Sequence, residues 1–317
     1  MNSTILAKIH KTGSIVGKRV FDLSILVLAL LTLLFFLLRL TGDPAVILAG
    51  QDATPETLAE IRAFYGLDKP LIVQYGHYLL NILQLDFGTS LATGQDALNV
   101  VLGAVPATLL MTFLAMGFTI LVSVPMGAWW GAAPQKKSRQ IFSQFIFVAQ
   151  GVPGFLVALV LVQIFAVDLG WLPALGYERV SNWILPVIAL GSFLVPKLTR
   201  ITATNVAEAM NEDYVRTARA IGADPRVILW RHVLPNALLG SIALVGAQFS
   251  FLISGVVVIE TIFAWPGLGR LLIQSTLSLD FPVVQALAIV ISIFVFLVNA
   301  VTDIVIAFLD PRIRVAA

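Results

Sequence analysis

Val283-Val284-Gln285-Ala286-Leu287-Ala288-Ile289-Val290-Ile291-Ser292-Ile293-Phe294-Val295-Phe296-Leu297-Val298-Asn299-Ala300-Val301-Thr302 contains no charged side chain. About 20 mostly apolar residues rising 1.5 Å each span a hydrocarbon core roughly 30 Å thick, so this stretch predicts a transmembrane helix. It belongs to a longer run, residues 283–309. Outward from it, five more apolar runs predict spans over 21–40, 104–131, 141–167, 183–196 and 237–262. The fourth is short and contains Pro186, which lacks a backbone donor, so it reads as either a tilted or a broken span. The fold expected is all-α and polytopic, with six transmembrane helices.

Composition agrees. Of 317 residues, 58% are hydrophobic and 12% charged, against about 45–50% and about 25% in an average soluble domain. With a mean hydropathy of +0.93, most of this apolar surface has to face lipid. Cysteine is absent, which excludes disulfides, thiolate metal sites and cysteine nucleophiles. The only histidines, His10, His77 and His232, argue against a multi-histidine metal site. The net charge of +2 and pI near 9.0 are better explained by membrane topology than by nucleic acid.

Basic residues fall unevenly between the two sides. Lys8, Lys11, Lys18 and Arg19 precede the first span, and Lys136, Lys137 and Arg139 follow the second. Lys197, Arg200, Arg216, Arg219, Arg226 and Arg231 lie between the fourth and fifth, and Arg312 and Arg314 end the chain. Arg62, Lys69, Arg179 and Arg270 lie on the other side, with Arg39 at the outer end of the first span. The richer side is cytoplasmic by the positive-inside rule, which puts both termini inside. The first span is too long for a signal peptide and lacks a small-residue cleavage site, so it reads as an uncleaved anchor.

The external loop, 41–103, is long enough to hold structure. Thr54 suits an N-cap, Pro55 the first helical position, Glu56 and Glu60 the positive helix start, and Gly66 a left-handed stop. This loop reads equally as an amphipathic lid on the outer membrane surface or as a substrate contact.

The sequence lacks a phosphate cradle. Its only Gly-Lys pair, Gly17-Lys18, is followed by Arg19 with no glycine five residues before Gly17, so the chain is expected to have no ATPase site of its own. Asp303 is the one ionisable residue clearly inside an expected span, with Arg39 and Glu260 near span ends, which disfavours ion coupling. Asp303 reads first as a structural residue hydrogen-bonded to Asn299, Thr302 or a neighbouring span. Met111, Met116 and Met126 in span two read as packing rather than metal ligands.

The cytoplasmic segment 205–236 is too long for a simple connector. Residues 205–221 favour a helix, Gly222 a C-terminal stop, and Asp224-Pro225 a cap and a preformed first residue for a second helix over 226–233. Val206, Met210, Tyr214, Ala218 and Ile221 share an apolar face. The unit suits docking into a partner's groove or lying at the membrane interface. In span five, Ala243 with Ala247 and Ser250 with Ser254 are four apart, beside Gly246, Gln248 and Gly255. Close helix packing is the first reading, and a translocation path lined by Gln248, Ser250 and Ser254 is the alternative.

Asp213-Tyr214-Val215-Arg216-Thr217-Ala218-Arg219-Ala220-Ile221-Gly222, followed by His232-Val233-Leu234-Pro235-Asn236, resembles the coupling loop of ABC importer permeases. Arg216-Thr217-Ala218 stands where the general pattern has Glu-Ala-Ala, and His232 where it has isoleucine. Further matches are Gly42-Asp43-Pro44, Gly66-Leu67-Asp68-Lys69-Pro70 with Gln74-Tyr75, and Asp86-Phe87-Gly88-Thr89-Ser90. The strongest is Glu260-Thr261-Ile262-Phe263-Ala264-Trp265-Pro266-Gly267-Leu268-Gly269-Arg270, followed by Asp280-Phe281-Pro282-Val283-Val284-Gln285 and Asp310-Pro311-Arg312-Ile313-Arg314. Taken in order along nearly the whole chain, these motifs resemble the permease subunits of dipeptide, oligopeptide and nickel ABC importers.

That resemblance implies the type I ABC importer permease fold, with residues 1–317 forming a single transmembrane permease domain in a bacterial inner membrane. It implies a half-pore pairing with a second homologous permease, two cytoplasmic ATPases that bind ATP and magnesium, and an external solute-binding protein. The chain itself would be no enzyme, hold no cofactor or metal and bind no nucleic acid. Segment 199–236 would be the loop that docks in an ATPase cleft, with Tyr214, Arg216, Thr217, Ala218, Arg219, Gly222, Asp224, Pro225, Leu234 and Pro235 as its coupling residues. For cargo, the short loop 168–182, with Leu169-Gly170-Trp171-Leu172-Pro173-Ala174-Leu175-Gly176-Tyr177, resembles nickel importers more than dipeptide permeases. It points to nickel carried as a chelate, with a di- or oligopeptide as the other reading. The competing architecture is a self-sufficient secondary transporter or channel.

Overall fold

Backbone in lipid has to satisfy its own hydrogen bonds, and helices do so within one segment. The computed structural model describes residues 21–22, 24–37, 40, 45–46 and 54–309, except the side chains at 64–65, 239–244, 247, 250–251, 253–254 and 303–309. Its helices are α1 (Ser24–Leu37), α2 (Pro55–Tyr65), α3 (Leu71–Leu83), α4 (Ala97–Gly131), α5 (Lys137–Ala149) and α6 (Gly154–Leu161), which continues as a π-helical segment (Val162–Asp168). Then come α7 (Ser181–Ser192), α8 (Val195–Ala209) and α9 (Asp213–Ala220). A turn (Pro225–Val227) and a π-helical segment (Ile228–Val233) lead into α10 (Leu234–Ile262), α11 (Leu268–Leu277) and α12 (Phe281–Leu309). Among the described residues the one isolated β-bridge joins Thr89 and Asp96.

Helices α4 and α12 are each long and apolar enough to cross a membrane, and α10 has 29 residues. The third expected span differs from a straight helix, and the fourth takes the broken form, one of the two its sequence allowed. The third is α5 and α6, bent by 98° where Gly151 and Pro153 interrupt the ladder. The fourth is α7 and α8, bent by 54° just before Pro196 at the start of α8. Pro186 lies inside α7, and the helical path continues to Ala209, past the expected end at 196.

Residues 105–270 with 297–317 form one unit. Its core gathers Met111, Leu185, Leu194, Leu252, Ile259, Phe263 and Trp265. Small residues let backbones meet. A Cβ on Gly127 would lie 2.7 Å from the Thr199 carbonyl oxygen, and one on Gly131 would strike the Ala203 carbonyl, so these two glycines hold α4 against α8. Gly246 on α10 faces Thr302 on α12 with no room for a Cβ, the close packing expected of span five.

Residues 1–104 with 271–296 form the other unit. Here α2 starts on Thr54, whose hydroxyl accepts from the Thr57 amide at 3.3 Å, and stops at Gly66 with φ +64°, as its sequence predicts. The next helix, α3, sits against α1: Tyr75 and Thr32 share a hydroxyl–hydroxyl bond of 2.6 Å, and Phe35 meets the Tyr75 ring edge-on at 5.1 Å. Gln74 donates to the carbonyls of Leu67 and Lys69, closing the turn between α2 and α3. Two of the quoted motifs also meet here. Ser90 donates its hydroxyl to Asp280 at 2.5 Å, and the Ala92 amide donates to the same carboxylate oxygen at 3.3 Å.

Candidate functional site

Segment 199–236 is built on the lower core of its unit. Val206, Val215, Ile228, Val233 and Leu234 are buried there with Ala128, and Asn205 donates to the Ala237 carbonyl at 3.1 Å. The helix expected over 205–221 is instead two helices parted at 210–212. Asn211 turns back to the Ala207 carbonyl, Glu212 is extended and Asp213 opens α9, because short polar side chains compete with the helical ladder. The stop and restart fall where the sequence puts them. Gly222 has φ +79°, its amide donates to Arg219 and the Ala223 amide to Ala218, a left-handed C-cap. Asp224 then accepts from the Arg226 amide at 2.6 Å, with Pro225 as the first helical residue.

The apolar face expected of this segment is divided. Val206 is buried in the chain's own core and Met210 and Ala218 pack around it, while Tyr214 and Ile221 are 37% and 79% exposed. Arg216 pairs with Asp213 at 3.2 Å on the surface, an ion pair worth little in water. Thr217 donates to the Asp213 carbonyl, Arg219 and Pro235 are exposed and Leu234 is buried. Val215, Ile228 and Val233, which the sequence reading did not single out, hold this ledge in place.

Of the residues proposed for a path, Gln248 is half-buried and its side-chain oxygen accepts from the Lys197 ammonium at 3.2 Å. The side chains of Ser250, Ser254 and Asp303 lie outside the described set, as do Arg39, the 42–44 motif and the 310–314 motif. Lys197 sits in the first turn of α8, one residue past the expected end of the fourth span, and its side chain faces α10.

The strongest quoted motif forms an elbow between α10 and α11. Glu260 is fully buried. One carboxylate oxygen accepts the Thr108 hydroxyl at 2.6 Å, and the other accepts the amides of Gly269 and Arg270 at 2.7 and 3.1 Å. Thr108 in turn accepts from the Leu268 amide at 2.8 Å, so the glutamate and threonine together cap α11. Gly267 and Gly269 are required because a Cβ on Gly267 would strike the Glu260 carboxyl and one on Gly269 would lie 2.5 Å from the Val257 Cα. Trp265 donates its indole N–H to the Ala107 carbonyl at 2.9 Å, and Tyr177 meets its ring edge-on at 4.7 Å. Loop 168–182 reaches this elbow, where the Gly176 amide donates to the Phe263 carbonyl at 3.1 Å. Glu178 is held below the usual carboxylate range by its own amide and that of Tyr177. Among the described residues no three His, Cys, Asp or Glu side chains group to hold a metal ion.

Residues 123–315 match the family described as binding-protein-dependent transport system inner membrane component, and residues 14–112 match its N-terminal domain. The chain belongs to that family. It is a permease subunit of an ABC importer, and its relatives fit this. The glutathione transport system permease protein GsiC of Salmonella typhimurium is 36% identical over 295 residues, covering 92% of this chain and 95% of that protein. GsiC of Escherichia coli K12 is 35% identical over 283 residues, covering 88% and 91%. The MetNI methionine ABC transporter in inward-facing form aligns with a TM-score of 0.57 at 19% identity, covering 67% of this permease and 96% of that chain. A crystal structure of an amino acid ABC transporter with histidines aligns at 0.52 and 16% identity, covering 66% and 94%. These two confirm the fold, that of a type I importer permease.

Proposed function

We propose that this permease forms half of a six-span translocation path for a small peptide-like solute of the glutathione class, with both termini in the cytoplasm. It works with a second permease, two ATPases that bind ATP and magnesium, and an external binding protein. The cargo reading is supported by the relatives at 35–36% identity, which are named for glutathione. A nickel chelate, the reading drawn from loop 168–182, is the second arm of the cargo test. Loss of labelled glutathione uptake on deleting the gene supports the peptide reading, and loss of nickel uptake alone replaces it.

Coupling to the ATPases is carried by one observation. The α9 ledge is anchored inward by Val215, and Ile221 at its end is 79% exposed, as Tyr214 and Trp230 of the same segment are in part. Such apolar exposure on a polar loop suits docking into a groove. Ala218 is half-buried in the ledge, and Gly222 has a φ closed to proline, so substituting either also disturbs the ledge itself. Ile221→Asp changes only the exposed tip. It is expected to reduce ATPase subunits copurifying with the permease by at least about tenfold, with membrane insertion and the partner permease retained. Wild-type ATPase recovery with Ile221→Asp would refute the docking assignment.

A further inference from the structure

Lys197 stands apart from the other basic residues between the fourth and fifth spans. The hydrogen bond from Asn205 on α8 to the Ala237 carbonyl on α10 marks the level at which the apolar run of α10 begins. From there Lys197 is eight residues deeper along α8, about 12 Å, and Gln248 is eleven residues deeper along α10, about 16 Å, at 1.5 Å per residue. In a core roughly 30 Å thick, both lie near mid-depth. Lys197 donates to the Gln248 side-chain oxygen at 3.2 Å, and among the described residues no carboxylate pairs with it.

A lysine ammonium has three donors, and a neutral amide oxygen uses one. Ionisable residues at this depth face the bundle interior or a water-filled cavity, because lipid cannot solvate them, and they mark substrate pathways. The α7–α8 pair is bent by 54° one turn before Lys197. Discontinuous helices at mid-depth are where transporters bind solutes. Since a permease is half of a path, the partner subunit would complete the wall opposite this pair. A cation with free donors beside a neutral amide suits an anionic acceptor that arrives and leaves. An acidic partner fixed in this chain would have neutralised it.

We infer that Lys197 and Gln248 form a cationic station on the translocation path that takes a carboxylate group of the cargo. This rests on the peptide-like cargo proposed above, and two measurements separate it from that reading. The chain contains no cysteine, so Gln248→Cys introduces one thiol beside Lys197. In the complete importer in vesicles, this thiol is reacted with sulfonatoethyl and trimethylammonioethyl methanethiosulfonates. Labelling is read by the mass of this chain and normalised to the rates on free cysteine.

The expected normalised rate favours the anionic reagent by about tenfold, falls to near parity when Lys197→Met is added, and is kept by Lys197→Arg. A ratio unmoved by Lys197→Met, or a thiol inert in both the nucleotide-free and ATP-bound states, overturns the inference and leaves Lys197 a tether between helices. In the second measurement, made with Gln248 intact, glutathione uptake falls about tenfold in Lys197→Met and is largely kept in Lys197→Arg, with the complex copurifying normally in both. Full uptake by Lys197→Met overturns it too. A wild-type importer that takes no glutathione refutes the cargo reading alone, and the thiol rates still decide the station.

Discussion

Glu260 shows how a carboxyl group is tolerated inside a membrane helix bundle. Its three donors come from Thr108, Gly269 and Arg270, which replace part of what it loses in leaving water. Removing it strands those donors. Glu260→Ala, which leaves buried neutral donors unsatisfied, is expected to destabilise the chain by about 3 kcal/mol, and Glu260→Gln, which keeps the shape but turns one acceptor into a donor, by about 1–2 kcal/mol. Heating detergent-solubilised protein and measuring the fraction that stays monodisperse gives both, and a neutral Glu260→Ala would contradict the capping role. The motif 260–270 is visible in the sequence, but the role of its glutamate is not. The decisive partner, Thr108, is 152 residues away, and no local pattern announces a contact between distant helices. The contact of Lys197 is hidden for a related reason: Gln248, which accepts from its ammonium, lies 51 residues away.

Among the helices, legibility follows how local the signal is. Thr54, Pro55 and Gly66 define both ends of α2 within residues 54–66, and Gly222, Asp224 and Pro225 define the break after α9, so both were readable. The bend in span three was not, because periodicity reports that a run is apolar and not whether it is straight, whereas the shortness of span four and its Pro186 left a break open as one reading. Likewise Asn211, Glu212 and Asp213 divide a helix that propensity alone would continue, since Val215 gains more by turning into the core beside Val206. The contact of α4 with α8 is the hinge of this arrangement, because Gly127 and Gly131 let the two backbones approach. Gly131→Leu is expected to separate α4 from α8, costing more than about 2 kcal/mol and loosening the α9 ledge that rests on Ala128 and Val206. Proteolysis within 210–224 should accelerate in the folded chain, and cleavage at the wild-type rate would contradict it.

The whole molecule is a permease subunit of an ABC importer, and the proposal above puts its energy source in other chains. An elbow locked by Glu260 and loop 168–182, the Lys197–Gln248 pair and an α9 ledge with an exposed tip are carried on one helical unit. The alternative, a self-sufficient carrier or channel, requires transport by this chain alone. Reconstitution decides between them: labelled glutathione uptake is measured in vesicles containing this chain with its partner permease, ATPases and binding protein, with and without ATP, and in vesicles holding this chain alone. The predicted result is uptake only in the complete assembly and only with ATP, lost on Ile221→Asp. Uptake by the chain alone, driven by an ion gradient and indifferent to ATP, would contradict the account.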